Sequence, residues 1–255
     1  MEAFPRQVLC VLGSGLDLSE MERTAAGFGG FVLDREYSEA APDSRMPKAF
    51  EAGMAAASFD ETDRAAVESH DTVGYLLSTP MTRELAADTS RRLLAATAAL
   101  LRSGATAVKN ESSGVTHGRD RWLALADRAA DAEDESLADA LVDAWVQRPI
   151  YDGHVLYSCG MHLLGAPEVE IEADEDELTE DGLPRLRAHL DTLAIYLLTD
   201  PRADEIEDGS GFRMSEDTPR WSLRTGPCDR CLRPVRTVMT DCRQRRSLRI
   251  ATMRW

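Results

Sequence analysis

The polar side chains that could carry out chemistry are concentrated in one short segment, residues 109–117. Lys109, one of only two lysines in the chain, is followed by Glu111 and His117 in a loop that contains Gly114. A carboxylate and an imidazole are common partners in general acid–base catalysis. We therefore treat Lys109, Glu111 and His117 as candidate catalytic residues. The alternative is that the loop is a solvated connection between two elements.

Three glutamates form a second candidate site, because Glu168, Glu170 and Glu172 alternate with aliphatic residues. Alternate residues of a strand share one face, so the three carboxylates would stand together. Three carboxylates on one face could bind Mg²⁺ or Ca²⁺. The same alternation is typical of the solvent-exposed face of a half-buried strand, which is the interpretation we favour.

A third candidate is a pair of cysteines with CxxC spacing, Cys228 and Cys231, followed by Cys242. A structural zinc site needs four ligands, and no histidine follows His189 to supply the fourth. A thioredoxin-type site needs the motif at the start of a helix, whereas two prolines flank it here. We predict no cofactor for this chain.

Two further signals are weaker. His154 and His162 lie eight residues apart on one extended segment, without a cysteine or histidine at metal-binding spacing beside them, and are interpreted as hydrogen-bonded imidazoles. Residues 13–15, Gly-Ser-Gly, follow a predicted strand in the manner of a phosphate-binding loop. They lack the Lys-Ser/Thr ending of that motif, so a turn is the simpler interpretation.

Charge is distributed unevenly along the chain. The 255 residues carry a formal net charge of −16, yet residues 220–255 contain ten arginines against two aspartates. The acidic body is expected to repel nucleic acid and anionic membranes, and only the basic tail could contact nucleic acid. The tail could instead fold back on the acidic body, or its composition could come from a shifted reading frame in the gene.

The chain is expected to be a cytoplasmic protein. No apolar run approaches the length of about 20 residues that a membrane span requires. The first residues lack the basic start and long apolar stretch of a signal peptide. Five cysteines, an odd and scattered set, are typical of a reducing compartment.

The elements that must position these residues follow from hydrophobic periodicity. Apolar runs predict strands at 8–12, 31–33, 72–77 and 105–108, with a helix after the first and another after the third. Ser19 with Glu22, and Thr79 before a proline, are typical helix starts. This βαβ-βαβ order predicts a split βαβ, or ferredoxin-like, unit.

Two helices, at 119–149, are predicted to join this half to a second one that runs from residue 150 to 226. In the second half, an extended segment, the strand 168–172, a short helix, an apolar strand at 193–198 and a closing hairpin suggest the same plan again. The prediction is one α+β domain over residues 1–226, with halves 1–118 and 150–226. Residues 227–255 are predicted to form a basic, irregular tail.

Three segments carry a family resemblance. They are the stretch GATAVKNESSG at 104–114, the stretch YSCGMHLLGAPEVEI at 157–171 and the stretch PRWSLR at 219–224. Together they resemble a bacterial family of intracellular α+β proteins, the domain of unknown function 4261, over residues 8–226. The resemblance implies a cytoplasmic α+β protein and assigns no catalytic residue.

Two functions from different classes are compatible with these observations. The first is a non-enzymatic accessory or protein-interaction domain, whose acidic surface suits a partner with a basic patch. The second is a small-molecule or metal-dependent enzyme built on the 109–118 loop and the 168–172 carboxylates. The enzyme requires Glu111, His117 and Glu170 to converge on one pocket. The fold expected in either case has two ferredoxin-like halves of mainly antiparallel sheet, with helices packed on one face.

Overall fold

The computed structural model describes residues 5–53, 59–153, 155–173, 177–214, 216 and 220–227, together with the backbone of 246–252. The chain is an α+β protein with mainly antiparallel sheets. Contacts divide it after Trp145 into an N-terminal unit and a C-terminal unit. The sequence predicts residues 119–149 as a link between two halves, but the contacts assign 119–145 to the N-terminal unit.

The N-terminal unit contains a five-stranded sheet in the order β2-β3-β1-β4-β5, and every neighbouring pair is antiparallel. Its strands are β1 (Val8–Gly13), β2 (Val32–Leu33), β3 (Thr72–Leu77), β4 (Ala105–Asn110) and β5 (Thr116–Gly118). Its helices are α1 (Leu18–Gly27), α2 (Met46–Glu51), α3 (Glu61–Glu68), α4 (Arg83–Arg102), α5 (Arg119–Ala130) and α6 (Asp134–Trp145). The four strands predicted from the sequence are confirmed within two residues at each end.

Strand β1 lies at the centre of this sheet and is buried along its whole length. Cys10 and Leu12 face one side, where they pack against residues of α2 and α3. On the other side, Met21 of α1 lies against the backbone of Gly74 in β3. We name these two sides the α2/α3 face and the α1/α4 face.

Helices therefore cover both faces of this sheet, and our prediction that they pack on one face is wrong. The physical reason is already present in β1, whose sequence VLCVL is apolar at every position instead of alternating with polar residues. A strand of this composition is stable only when both of its faces are removed from water.

Helix starts differ from the predicted ones by two or three residues. Asp17, and not Ser19, caps α1, since its carboxylate accepts from the backbone N–H groups of Ser19 and Glu20. Helix α4 begins after Thr82, three residues beyond the predicted cap at Thr79. Local sequence allows several capping residues in a short polar stretch, and packing selects one of them.

The C-terminal unit contains a six-stranded sheet in the order β6-β7-β8-β11-β10-β9. Its elements are β6 (Gln147–Tyr151), β7 (Val155–Cys159), β8 (Glu168–Glu172), α7 (Gly182–Thr199), β9 (Gly211–Phe212), β10 (Trp221–Pro227) and β11 (Arg246–Thr252), with 3₁₀ helices at Met161–Leu164 and Pro201–Glu205. The β6-β7-β8 and β9-β10-β11 groups are antiparallel, and β8 and β11 pair in parallel.

The described part of this unit differs from the predicted copy of the first half in two places. Residues 193–198, predicted as a strand, belong to α7, where Leu186, Leu190, Leu193 and Leu197 are buried at helical spacing. Residues 246–252, predicted to be irregular, form β11 between β8 and β10. The first error concerns a short apolar run, whose state periodicity alone does not decide. The second concerns a segment of mixed arginine, polar and apolar residues, which forms a strand by pairing with β8 and β10.

No helix within the described ranges is both long enough and apolar enough to cross a lipid bilayer.

One carboxylate connects two helices of the N-terminal unit. Asp63 in the first turn of α3 accepts from the backbone N–H of Asp60, and it also accepts from the N–H of Arg119 at the start of α5. The carboxylate fits there because residue 118 is glycine: a Cβ atom at Gly118 would clash with both Asp63 oxygens.

We expect Gly118→Ala to displace the Asp63 carboxylate and lower the free energy of unfolding by about 1 to 2 kcal/mol, the cost of losing a helix cap. The measurement is urea unfolding followed by circular dichroism. Gly27→Ala is the matched control, since nothing lies within 4 Å of its Cβ position. The control should be neutral or slightly stabilising. Equal stability of the two variants would contradict the capping role.

Candidate functional site

Lys109 and Glu111, predicted as catalytic candidates, form an ion pair at the end of β4. Lys109 Nζ lies 2.6 Å from Glu111 Oε2, and the two side chains are 8% and 19% exposed. The register of the sheet places Lys109 opposite Cys10, which in turn pairs with Tyr75. These four residues therefore share the α2/α3 face.

The thiol and the phenol beside this ion pair stay protonated. Burial raises the pKa of the Cys10 thiol, and the charge of Glu111 raises it further. Burial likewise raises the pKa of the Tyr75 hydroxyl. Because a thiol reacts as the thiolate, Cys10 is not an active nucleophile near neutral pH. Its sulfur packs 3.8 Å from the sulfur of Met46.

His117 lies on the other side of the sheet. It pairs with Val108 in the register of β4 and β5, so its ring points to the α1/α4 face. There the ring meets Trp122 edge to face, with centroids 5.6 Å apart, and Nε2 lies 3.1 Å from the carbonyl oxygen of Ala144. The predicted acid–base pair of Glu111 and His117 is wrong, since the sheet separates the two groups.

Burial lowers the pKa of His117 to about 4. The imidazole is therefore neutral at pH 7, and Nε2–H donates to the Ala144 carbonyl oxygen. In this state the residue holds the start of β5 against the end of α6. Its role is packing between β5, α5 and α6.

The polar residues of the loop hold its own backbone. The Asn110 side chain is fully buried, and its Oδ1 accepts from the N–H groups of Ser112 and Ser113. Its Nδ2 donates to the side chain of Gln7, which donates in turn to Ser90. Sequence reasoning missed Gln7; the only available signal was a polar residue at the entry of an apolar strand.

Glu168 is a completely buried carboxylate that accepts several hydrogen bonds. Its oxygens accept from the Ser158 hydroxyl at 2.8 Å and from three backbone N–H groups, those of residues 160, 161 and 162. His162 Nδ1 lies 2.6 Å from Oε1. Burial alone would raise the pKa of this carboxyl, yet the pKa is lowered, because the His162 ring and these donors stabilise the anion.

The three glutamates of β8 therefore differ in their exposure to solvent. Glu168 and Glu170 are buried and only Glu172 is exposed, so the interpretation as a solvent-exposed face is wrong for the first two. Val169 and Ile171 are buried as well, which places both faces of β8 in the interior. Nowhere in the described ranges do three His, Cys, Asp or Glu side chains gather in a geometry that could bind a metal ion.

Two other predicted sites have different outcomes. In the Gly-Ser-Gly turn at residues 13–15, the Gly15 N–H donates to the Asp71 carboxylate at 2.7 Å. This N–H group therefore binds a carboxylate of the same chain and not a phosphate. Cys228, Cys231, Cys242 and His154 lie outside the described residues.

An open cleft of about 370 Å³ lies beside β2 in the N-terminal unit, and sequence reasoning missed it. Arg6, Val32, Leu77 and Pro80 are among its lining residues, and Val32 is 56% exposed. The apolar run at 31–33 predicts a strand, and it does not reveal that the side chain of Val32 is exposed. We name this feature the β2 cleft.

Comparison with known protein families, characterised proteins and solved structures finds no match to this chain. The resemblance to the domain of unknown function 4261 remains a prediction.

We expect the stability of the chain to fall as the pH is lowered from 7 towards 4. A histidine whose folded pKa is about 4 and whose unfolded pKa is about 6.5 binds protons mainly in the unfolded state. Its contribution to stability is present above pH 6.5 and is lost on the acidic side, about 2 kcal/mol by pH 5. The measurement is urea unfolding at pH 7 and pH 5. His117→Gln keeps a donor for Ala144 and should reduce the difference between the two pH values; an unchanged difference would contradict this assignment.

Replacing Glu168 should destabilise the C-terminal unit. Glu168→Gln places an amide N–H₂ among groups that all donate, so we expect the free energy of unfolding to fall by about 3 kcal/mol. Glu172→Gln, on the same strand but exposed, is the matched control and should change it by less than about 0.5 kcal/mol. Thermal unfolding of both variants measures the effect. Similar melting temperatures would show that the buried hydrogen bonds contribute little.

Proposed function

We propose that this chain is a non-enzymatic protein-interaction domain of the bacterial cytoplasm, related to the domain of unknown function 4261. One observation carries the proposal: four of the candidate groups, Lys109, Glu111, His117 and Glu168, are bonded within the fold. Lys109 forms an ion pair with Glu111, and His117 donates a hydrogen bond to a backbone carbonyl. Glu168 accepts hydrogen bonds from surrounding backbone and side-chain donors. A general acid or base needs a proton-transfer partner in the substrate within hydrogen-bonding reach.

The alternative is a small-molecule or metal-dependent enzyme, and the geometry weighs against it. It needs Glu111 and His117 at one site, whereas they lie on opposite faces of the sheet. It also needs a carboxylate row that faces solvent, whereas Glu168 and Glu170 are buried.

The N-terminal unit is, in our proposal, a ferredoxin-like unit with one added strand. The order β2-β3-β1-β4 with antiparallel neighbours is the order of a split βαβ motif, and α1 and α4 make its two crossovers. Strand β5 extends the sheet beyond β4. Folds of this kind support many functions, so the fold alone does not choose between binding and catalysis.

Charge supports a basic partner for this domain. The chain has 45 acidic residues against 29 lysines and arginines. An excess of this size steers a positively charged surface towards the domain and weakens with added salt. The partner class that fits is a protein with a basic patch, and neither a membrane nor nucleic acid suits the acidic body.

The test is to purify the chain from the organism that encodes it and to analyse it by native mass spectrometry and chemical cross-linking. We expect one protein partner at a fixed stoichiometry, lost when NaCl is raised from about 0.05 M to 0.5 M, because screening removes long-range attraction. Glu111→Gln should leave the complex unchanged, since this carboxylate faces Lys109 of the same chain.

A different outcome would favour the enzyme. A small molecule or metal ion bound at one per chain, and absent from the Glu111→Gln protein, would contradict the interaction domain. The metal content of both proteins is measured in the same samples. The circular dichroism of the Glu111→Gln variant shows whether a loss of the bound ligand comes from misfolding.

A further inference from the structure

The chain has very few side-chain amines, because 27 of its 29 basic residues are arginines. The two lysines are Lys48 and Lys109. An arginine guanidinium stays protonated in proteins, so it does not act as a nucleophile. A lysine amine does, once it has lost its proton, and it is the usual acceptor of acyl groups. Acyl transfer to a side-chain amine therefore has two acceptor positions in the whole chain.

The fold protects one of these two amines. Lys109 is buried, and its Nζ lies 2.6 Å from the Glu111 carboxylate. It stands opposite Cys10 in the sheet, on the face where the Cys10 sulfur packs against Met46. An acyl group on Lys109 would need space in this packed layer and would remove the charge that balances Glu111. Leaving one partner of a buried ion pair alone is strongly destabilising, so attack at Lys109 requires local opening of the fold.

The fold presents the other amine to solvent. Lys48 belongs to α2, whose Met46 and Phe50 are buried against the sheet. Lys48 lies two residues from each of them, which is about 200° around an α-helix. Its side chain is therefore on the outer side of α2, and the residue is exposed. An acyl group can be added to this amine without moving a residue of the core.

We propose that Lys48 is a site of Nε-acylation and the single lysine acceptor of the folded chain, with an acyl phosphate or an acyl thioester as donor. The neutral amine of Lys48 attacks the carbonyl carbon of the donor, and a nitrogen–carbon bond forms. The bond from that carbon to the phosphate oxygen or thiolate sulfur breaks, the leaving group takes the electron pair, and the nitrogen releases one proton to water. The product is a neutral amide, which removes a positive charge from the surface of α2. This inference is independent of the proposed interaction function.

The experiment treats the full chain with acetyl phosphate in one sample and with acetyl-coenzyme A in another. Peptide mass spectrometry over time gives the rate at each lysine and assigns the product of the α-amino group separately. In the folded protein we expect Lys48 to react at least about a hundredfold faster than Lys109, because Lys109 reacts only after local opening. In concentrated urea the two lysines should react at similar rates. The donor that reacts faster at equal concentration identifies the source of the acyl group.

Two variants test the assignment. Lys48→Arg keeps the charge of α2 and should leave the folded chain without an acetylated side chain. Arg45→Lys is the matched positive control, since residue 45 immediately precedes α2 and its side chain is 84% exposed. This variant should gain a second acetylated position. Circular dichroism of both variants should equal that of the parent protein, because both substitutions are at exposed positions.

The chain purified from the organism that encodes it is mapped in the same way, and we expect acyl groups at Lys48 and none at Lys109. Three results would overturn the proposal. The first is a similar rate at both lysines in the folded protein, and the second is an unreactive Lys48 under conditions where position 45 of the control variant reacts. The third is the absence of any acyl group at Lys48 in the chain purified from cells. Capture of a protein partner, or its failure, changes none of these results, so the proposed function is tested separately.

Discussion

The N-terminal unit depends on the complete burial of β1, which pairs on both edges and packs on both faces. Burying a leucine or valine side chain contributes about 1.5 to 3 kcal/mol each, and β1 has four such side chains in six residues. Each face of the strand therefore needs its own cover. Helices α2 and α3 cover one face, and helices α1 and α4 cover the other.

Burial also decides which polar groups are available for chemistry. Taking a charge out of water costs several kcal/mol unless partners replace the lost hydration. Lys109 and Glu111 replace the lost hydration by pairing with each other, and Glu168 replaces it with hydrogen bonds from backbone and side-chain donors. A group satisfied in this way stabilises a unique conformation, and it has little capacity left to bind a substrate.

Much of the fold was predictable because it is encoded locally. The strands at 72–77 and 105–108 follow from apolar runs, and the pairing of Gly211–Phe212 with β10 agrees with the predicted closing hairpin. The ion pair of Lys109 with Glu111 joins residues only two apart in sequence, so it depends on local geometry. The relation of Glu111 to His117 does not follow, because the loop between them is long enough to place His117 on either face.

Sequence by itself determined the α+β class, most strands of the first sheet and the segments that carry polar chemistry, since each depends on residues within one turn or one strand of each other. Tertiary structure alone decided that Glu168 and Glu170 are buried, that residues 193–198 continue a helix and that β11 joins β8. In each case the outcome depends on groups distant in sequence, such as the backbone of residues 160–162 around Glu168. An alternating or apolar run indicates which residues are to be buried. The groups that pack against it, which are distant in sequence, determine whether it forms a helix or a strand and which of its faces are covered.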